Sequence, residues 1–124
     1  MGESQARVAI KIKVANVGEA PGELNRLTAP LTVGDILKAL PINGRTVPAQ
    51  GYISIILGLK RGVEKAVTQV EAGTIAFWPR AMSLCIYPDA TKTYDPVNRV
   101  GKVTSNLEIF RNLKSGSRII IVAV

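Results

Sequence analysis

Residues 74–88 read TIAFWPRAMSLCIYP, a stretch that contains the single Trp and the single Cys of the chain. β-Branched and aromatic residues favour a strand over Thr74–Trp78, and Pro79 ends that strand because it has no N–H to donate to a ladder. The strand pattern resumes over Leu84–Tyr87 and stops again at Pro88. The stretch therefore predicts two strands that meet at a Trp-Pro corner.

Strand and turn signals continue on both sides of this corner. Apolar and polar residues alternate over residues 7–14, as in a strand with one buried face. A turn over Asn16–Gly22 leads into a short return strand, and Asn43-Gly44 is typical of a tight turn. Residues 63–70 fit either a strand or a short helix. The other predicted strands are Glu23–Leu27, Tyr52–Leu57, Val100–Val103 and Arg118–Val124, the last apolar on both faces and so expected to have a neighbour on each side.

Two short helices are predicted from capping boxes, in which two side chains satisfy free backbone donors at a helix start. The first box is Thr32–Asp35, followed by an apolar stripe that Pro41 closes. The second is Ser105–Glu108, ahead of an apolar face that Gly116 ends. Many short strands with two brief helices favour a mainly β fold, a closed barrel of about eight strands.

Composition limits the function classes. The 124 residues, 47% of them hydrophobic, suit one domain over residues 1–124. No His is present, which excludes His-based metal sites and nucleophile pairs with His. The single Cys85 lies among aliphatic neighbours and is expected to be buried and inert. We expect a cytoplasmic protein with no membrane span, no metal and no cofactor.

The net charge of +7 is spread along the chain rather than concentrated, and no aromatic residues interleave the basic groups. We therefore expect a solvated basic surface and no nucleic-acid partner. Asp89 and Asp95 are interpreted as turn formers that bond their own backbone. The polar stretch Asp89–Pro96, which contains both Asp residues, is predicted to be a functional loop.

The sequence resembles the cyclophilin-like barrels, most closely a small bacterial and archaeal subfamily marked by a Tyr/Phe-Trp-Pro and Leu-Cys-Ile strand pair. Phe77-Trp78-Pro79 and Leu84-Cys85-Ile86 carry this resemblance. Further segments that resemble the family are Thr32–Leu40, Pro96–Val103, Leu107–Leu113 and Ile119–Val124. The resemblance implies a closed cyclophilin-like barrel with two short helices.

The same resemblance argues against inherited catalysis. Cyclophilin prolyl isomerases use an Arg beside an aromatic core, a Phe-Met-x-Gln strand, and a downstream Trp and His. None of that set is recognisable here, so no catalytic residue is assigned and enzymatic activity stays an open question. Fold likeness alone does not carry the chemistry.

Two hypotheses follow, and the oligomeric state is left open. The first is a binding module for a small anionic ligand or an extended peptide, at a barrel mouth between Phe77–Arg80 and Thr91–Arg99. The second is a divergent prolyl isomerase. Aromatic side chains at a mouth would grip a ligand, but they equally suit a core with a polar rim. The candidate ligand-binding residues are Phe77, Trp78, Arg80, Tyr87, Tyr94 and Arg99.

Overall fold

The computed structural model describes residues 6–49 and 51–124, and antiparallel strands dominate it. Helix α1 spans Pro30–Ala39, and two 3-10 helices span Pro79–Ala81 and Leu107–Phe110. The strands of this described part are β1 (Arg7–Val14), β2 (Gly18–Asn25), β3 (Ile42–Arg45), β4 (Val47–Ala49), β5 (Tyr52–Ile56), β6 (Val67–Val70), β7 (Thr74–Trp78), β8 (Ser83–Ile86), β9 (Thr91–Val103) and β10 (Arg118–Ala123).

Hydrogen bonds join the strands in the order β3-β10-β1-β2-β9-β7-β8-β5-β4, and β6 pairs with β9 beside this path. Within the described ranges the two end strands, β3 and β4, are not paired with each other. The mainly β class is thus confirmed, whereas hydrogen bonds do not close the sheet and the count of about eight strands is not confirmed. The additional strands β3, β4 and β6 have only three or four residues each, too few for a clear alternating pattern.

The sheet curves around one main core. Ile10 and Ile12 of β1, Ile75 and Phe77 of β7, and Ile119 of β10 all belong to it. The curvature brings β3 close to β5. Gly44 of β3 lies so near Ile55 of β5 that a Cβ on residue 44 would be 2.5 Å from Ile55 Cγ2. The expected Asn43-Gly44 turn is therefore a strand, and its Gly is explained by this approach.

A second, smaller apolar cluster lies on the other face of β7 and β8. Successive side chains of a strand point to opposite faces, so Ala76 and Cys85 turn away from the main core. Strand β6 and the first half of β9 form a separate ladder that lies over this face. The buried members of the cluster are Val70, Ala76, Cys85, Tyr87 and Val97, with Tyr52, Val67 and Trp78 packed against them.

Several predicted elements are confirmed. Strand β1 and the Trp-Pro corner lie where expected, since β7 ends at Trp78 and β8 follows the 3-10 helix Pro79–Ala81. Strand β10 has β1 on one side and β3 on the other, as its apolar sequence predicted. Residues 63–70, open between helix and strand, contain β6.

The prediction of a loop over Asp89–Pro96 was wrong for most of that stretch. Residues 91–96 belong to β9, the longest strand at 13 residues, which continues through the predicted short strand Val100–Val103. The stretch looked like a loop because its side chains are polar. They are polar because this half of β9 pairs with β6 at the surface rather than in the main core.

Both capping boxes were also wrong. Helix α1 begins at Pro30, so Thr32 lies inside it, and Asp35 pairs with Arg61 instead of a backbone donor. The second box precedes a 3-10 helix whose N-cap, Asn106, makes no side-chain capping bond; its amide donates to the Glu19 carbonyl instead. That helix ends at Phe110, well before Gly116.

The start of α1 is capped by a distant residue. Glu64, from the connection between β5 and β6, accepts hydrogen bonds from the backbone N–H groups of Leu31 at 2.9 Å and Thr32 at 2.8 Å. It also accepts one from the Thr32 hydroxyl at 2.7 Å. A carboxylate at a helix N-terminus satisfies free donors and complements the helix dipole, so α1 and this connection are fixed to each other.

No helix within the described ranges is both long enough and apolar enough to cross a membrane.

Candidate functional site

Two neighbouring cavities lie around the Trp-Pro corner. We call the first the aromatic cleft; its volume is about 250 Å³. The second, the basic groove, has a volume of about 800 Å³. Asp95 of β9 lines both. The aromatic cleft is lined by Tyr52, Trp78, Tyr87, Thr91, Lys92, Thr93, Tyr94, Asp95 and Val97.

The aromatic cleft is built on the outer face of the sheet, above the second apolar cluster. Tyr52 meets Trp78 edge to face, with ring centroids 6.2 Å apart, and meets Tyr87 with centroids 5.4 Å apart. Both separations lie in the range where aromatic pairs attract. Tyr94 stands at the rim with 86% of its surface exposed. The cleft therefore has a fixed aromatic floor and one free aromatic side chain at its edge.

The wall between the cavities is a chain of three polar side chains. The indole N–H of Trp78 donates to Asp95 Oδ2 at 2.9 Å, and Arg80 Nη1 lies 3.5 Å from Asp95 Oδ1. The Asp95 side chain is 18% exposed and that of Arg80 is 75% exposed. Asp95 thus holds the indole firmly, while the long contact to Arg80 is screened by solvent and weak.

The basic groove lies between the connection after β5 and the 3-10 helix Pro79–Ala81. Three cations and one carboxylate line it, and Met82 and Val63 add apolar surface. Arg61 is paired with Asp35 at 2.6 Å, and Arg80 has its weak contact with Asp95. The complete lining is Lys60, Arg61, Gly62, Val63, Pro79, Arg80, Met82, Asp95 and Pro96.

One wall of the basic groove is held by the buried Asn98 of β9. Its amide donates to the Gly62 carbonyl at 3.0 Å and to the Thr32 hydroxyl at 3.1 Å, and its oxygen accepts from the Glu64 N–H at 2.8 Å. Both the nitrogen and the oxygen of this amide form hydrogen bonds within the protein, and two of these bonds fix the backbone of residues 62 and 64. Burial alone would raise the pKa of Glu64, but the hydrogen bonds from Leu31 and Thr32 and the charge of Arg61 bring it below its ordinary value.

Buried protic groups lie beneath the aromatic cleft. Burial raises the pKa of the Cys85 thiol to about 12, against a weaker opposing hydrogen bond with Tyr87. Burial, together with Cys85, also raises the pKa values of Tyr87 and Tyr52. These groups stay neutral at ordinary pH, and a neutral thiol is a poor nucleophile. The prediction that Cys85 is buried is confirmed.

The structure divides the six candidate ligand-binding residues. Trp78, Tyr87 and Tyr94 line the aromatic cleft, and Arg80 lines the basic groove.

The other two candidates lie elsewhere. Phe77 is fully buried in the main core, on the opposite face of β7. Arg99 is exposed but lines neither cavity; in the β7–β9 ladder it is paired with Ala76. Its carbonyl accepts a hydrogen bond from the Thr28 hydroxyl at 2.7 Å.

Sequence reasoning missed Asp95, Tyr52 and Lys60. The interpretation of Asp89 and Asp95 as turn formers was wrong for their carboxylates, since Asp89 pairs with Arg111 and Asp95 with Trp78 and Arg80. The position of Asp95 inside a strand was the missing signal. Within the described ranges, no three His, Cys, Asp or Glu side chains group as metal ligands.

Comparison with known families matches the Cyclophilin-like family over residues 8–122. The chain belongs to the cyclophilin-like family. The resemblance seen in the corner motif is thereby confirmed. No curated protein matches the sequence.

Solved structures agree on the fold. The cyclophilin-like chain is similar to a hypothetical protein from Archaeoglobus fulgidus, with a TM-score of 0.77, 23% identity and 100% of both chains covered. It is also similar to McbB, solved in complex with tryptophan, with a TM-score of 0.71 and 15% identity. That match covers 91% of this chain and 44% of McbB.

Proposed function

We propose that this protein is a binding module for a small organic anion that also carries a ring or an apolar segment. The ring would enter the aromatic cleft, and the anionic group would lie in the basic groove. The observation that carries the proposal is the shared wall, where Trp78 faces one cavity, Arg80 faces the other, and Asp95 joins them.

Charge supports an anion in the groove. Lys60, Arg61 and Arg80 line the groove beside the single carboxylate of Asp95. Because Arg61 is paired with Asp35, Lys60 and Arg80 are the cations available to a ligand. The contact of Asp95 with the exposed Arg80 is long, 3.5 Å, so Asp95 is a weak competitor for Arg80. An incoming carboxylate or phosphate would meet Arg80 in the fork geometry that guanidinium groups favour.

Shape supports a ring in the cleft. The floor of Tyr52 and Tyr87 is held by mutual contact and by burial of Tyr87, so little order has to be gained on binding. McbB, which shares the fold, was solved with tryptophan, a molecule that has both a ring and a carboxylate. This supports the ligand class by analogy of fold only.

The direct test is calorimetry of ring-bearing carboxylates, such as indole-3-acetate and benzoate, against their neutral amides. We expect the acids to bind more tightly than the amides, with affinity falling as salt rises. The double variant Lys60→Ala/Arg80→Ala should bind the acids about tenfold more weakly, because exposed ion pairs contribute up to about 1 kcal/mol each.

The chain offers a matched control in Arg99→Ala/Lys102→Ala. Both residues are exposed on β9 and line neither cavity, and their substitution removes the same charge as the test pair. We expect this control to bind as the parent does. An equal loss in both double variants would attribute binding to overall charge and refute the proposed site.

Two further measurements, peptide binding and prolyl-peptide turnover, distinguish the alternative functions. An acidic proline-containing peptide that binds more tightly than any of the small acids would make the occupant an extended peptide. Turnover of a prolyl peptide would indicate a divergent isomerase, which we do not expect, because Arg80 lies exposed at a rim rather than beside an aromatic core. Loss of one positioned transition-state donor typically lowers the rate by about two to three decades.

A further inference from the structure

A third cavity lies at the start of β10, and its charged residues differ from those of the site above. We call it the end groove; its volume is about 710 Å³, and it is lined by residues 15–17 of the first hairpin, Arg45 of β3, and residues 112–114 and 116–118. Its charged lining residues are Arg45, Lys114 and Arg118, and no Asp or Glu lines it.

Arg45 and Arg118 stand directly opposite each other in the β3–β10 ladder. Like charges in directly opposed positions destabilise a sheet, so this pair costs stability unless something neutralises it. In the part of the chain that the structure describes, the ion pairs use Arg7, Lys11, Arg61, Arg80 and Arg111. The three cations of the end groove take part in none of them.

The backbone that carries these cations is fixed. Buried Thr46 donates its N–H to the Ser117 carbonyl at 2.9 Å and its hydroxyl to the Lys114 carbonyl at 3.1 Å. Gly116 donates back to the Thr46 carbonyl at 2.8 Å. The turn before β10 is therefore tied to the residue that follows Arg45.

One Arg side chain is also oriented by this turn. Arg45 Nη1 donates to the Gly116 carbonyl at 3.0 Å, which holds the guanidinium over the turn without neutralising its charge. A guanidinium has five N–H donors, so donors remain for a ligand. Three cations on fixed backbone, with no competing carboxylate among the lining residues, make a site that is organised before any ligand arrives.

We propose that the end groove binds the phosphate group of a small molecule, with Arg45 and Arg118 as forked donors and Lys114 as the third charge. Phosphate carries up to two charges near neutral pH and matches the guanidinium fork, so it offsets the repulsion of the opposed Arg pair. A volume of about 710 Å³ lies within the usual range of small-molecule pockets. The proposal is independent of the function proposed for the Trp-Pro corner.

The test is a nuclear magnetic resonance titration of the full ¹⁵N-labelled chain with pyrophosphate and, separately, glycerol 3-phosphate. Sodium chloride at matched ionic strength is the blank. We expect saturable shifts in residues 45–46 and 112–118. Arg45→Ala and Arg118→Ala should each weaken binding up to about fivefold, as is typical for an exposed ion pair, whereas Arg99→Ala should leave it unchanged.

A stability readout separates binding from a structural role. Removing one of two opposed like charges should leave the melting temperature of Arg118→Ala unchanged or higher, and pyrophosphate should raise the melting temperature of the parent more than that of this variant. Non-saturable shifts, or equal binding by Arg99→Ala and Arg118→Ala, would overturn the proposal. A short oligonucleotide that binds this groove more tightly than pyrophosphate at the same salt would overturn the small-molecule assignment.

Discussion

The two faces of strands β7 and β8 carry different kinds of side chain and do different work. On the inner face, Ile75, Phe77, Leu84 and Ile86 are aliphatic or aromatic and sealed in the main core. On the outer face the side chains include a thiol, a phenol and an indole, and a cleft lies beside them. Because side chains alternate between the two faces, one strand pair contributes both to the main core and to the candidate site.

The largest effect should come from the inner face. Phe77→Ala should lower the free energy of unfolding by about 3–5 kcal/mol, because Phe77 is fully buried and its loss leaves a cavity. Urea denaturation followed by circular dichroism measures this. A loss below about 1 kcal/mol would mean that the inner face does not carry the stability assigned to it.

A smaller effect is expected from the indole on the outer face. Trp78→Phe keeps a ring but removes the N–H donor to Asp95, a hydrogen bond to a charged group worth about 1.5–3 kcal/mol in buried settings. Because the pair is part-buried, we expect the lower end of that range in urea denaturation. Ligand affinity at the corner should fall in the same variant.

The control is a double-mutant cycle with Asp95→Ala, which removes the acceptor of the indole N–H. If the indole acts through Asp95, the two substitutions together should cost less than the sum of their separate effects. Strict additivity would contradict a working hydrogen bond between these side chains.

Features of the fold that depend on neighbouring residues could be predicted from the sequence, and those that depend on distant residues could not. The corner itself was predictable, because Pro79 follows a clear strand and the motif resembles a known family. The main helix was predictable from its apolar stripe, although its cap was not. Glu64 lies 33 residues from Leu31, and no local pattern relates them.

The candidate site was predictable only in part. Trp78 was recognised by its position beside Pro79, but Asp95 was dismissed, because polar residues next to a proline usually form turns. The ladder between β6 and β9 makes this stretch a strand and turns Asp95 toward the indole. Only pairing between distant segments reveals that, and such pairing is not written in local composition.

A pH-dependent effect should distinguish the outer face further. The folded pKa of Cys85, about 12, lies above its ordinary value of 9.0. Below pH 9 the thiol is neutral in both states and its contribution to stability is complete; between about pH 9 and 12 the unfolded chain ionises first, so stability falls. Urea denaturation at pH 8 and pH 10.5 should show a smaller fall for Cys85→Ala than for the parent.

Tyr52 and Tyr87 are present in both proteins, and burial, the larger cause of their raised pKa values, remains in Cys85→Ala. Identical pH dependence in the parent and Cys85→Ala would contradict a raised pKa for Cys85. Slow labelling of the folded parent by a thiol reagent at pH 7 is the matching kinetic expectation.

The smallest effect on stability should come from the exposed rim. Arg80→Ala should change the free energy of unfolding by no more than about 0.5 kcal/mol, because its contact with Asp95 is long and screened. Arg99→Ala should be equally mild in the same urea titration. A loss above about 1 kcal/mol for Arg80→Ala would make it a structural residue rather than a ligand contact.

The single Trp of the chain gives the most direct test of the proposed site. One indole N–H signal should appear in a ¹⁵N–¹H spectrum, and it belongs to the group that donates to Asp95 between the two cavities. Titration with indole-3-acetate should move this signal saturably, and the neutral amide should move it less. An indole signal that stays in place while the acid binds elsewhere on the chain would refute binding at the Trp-Pro corner.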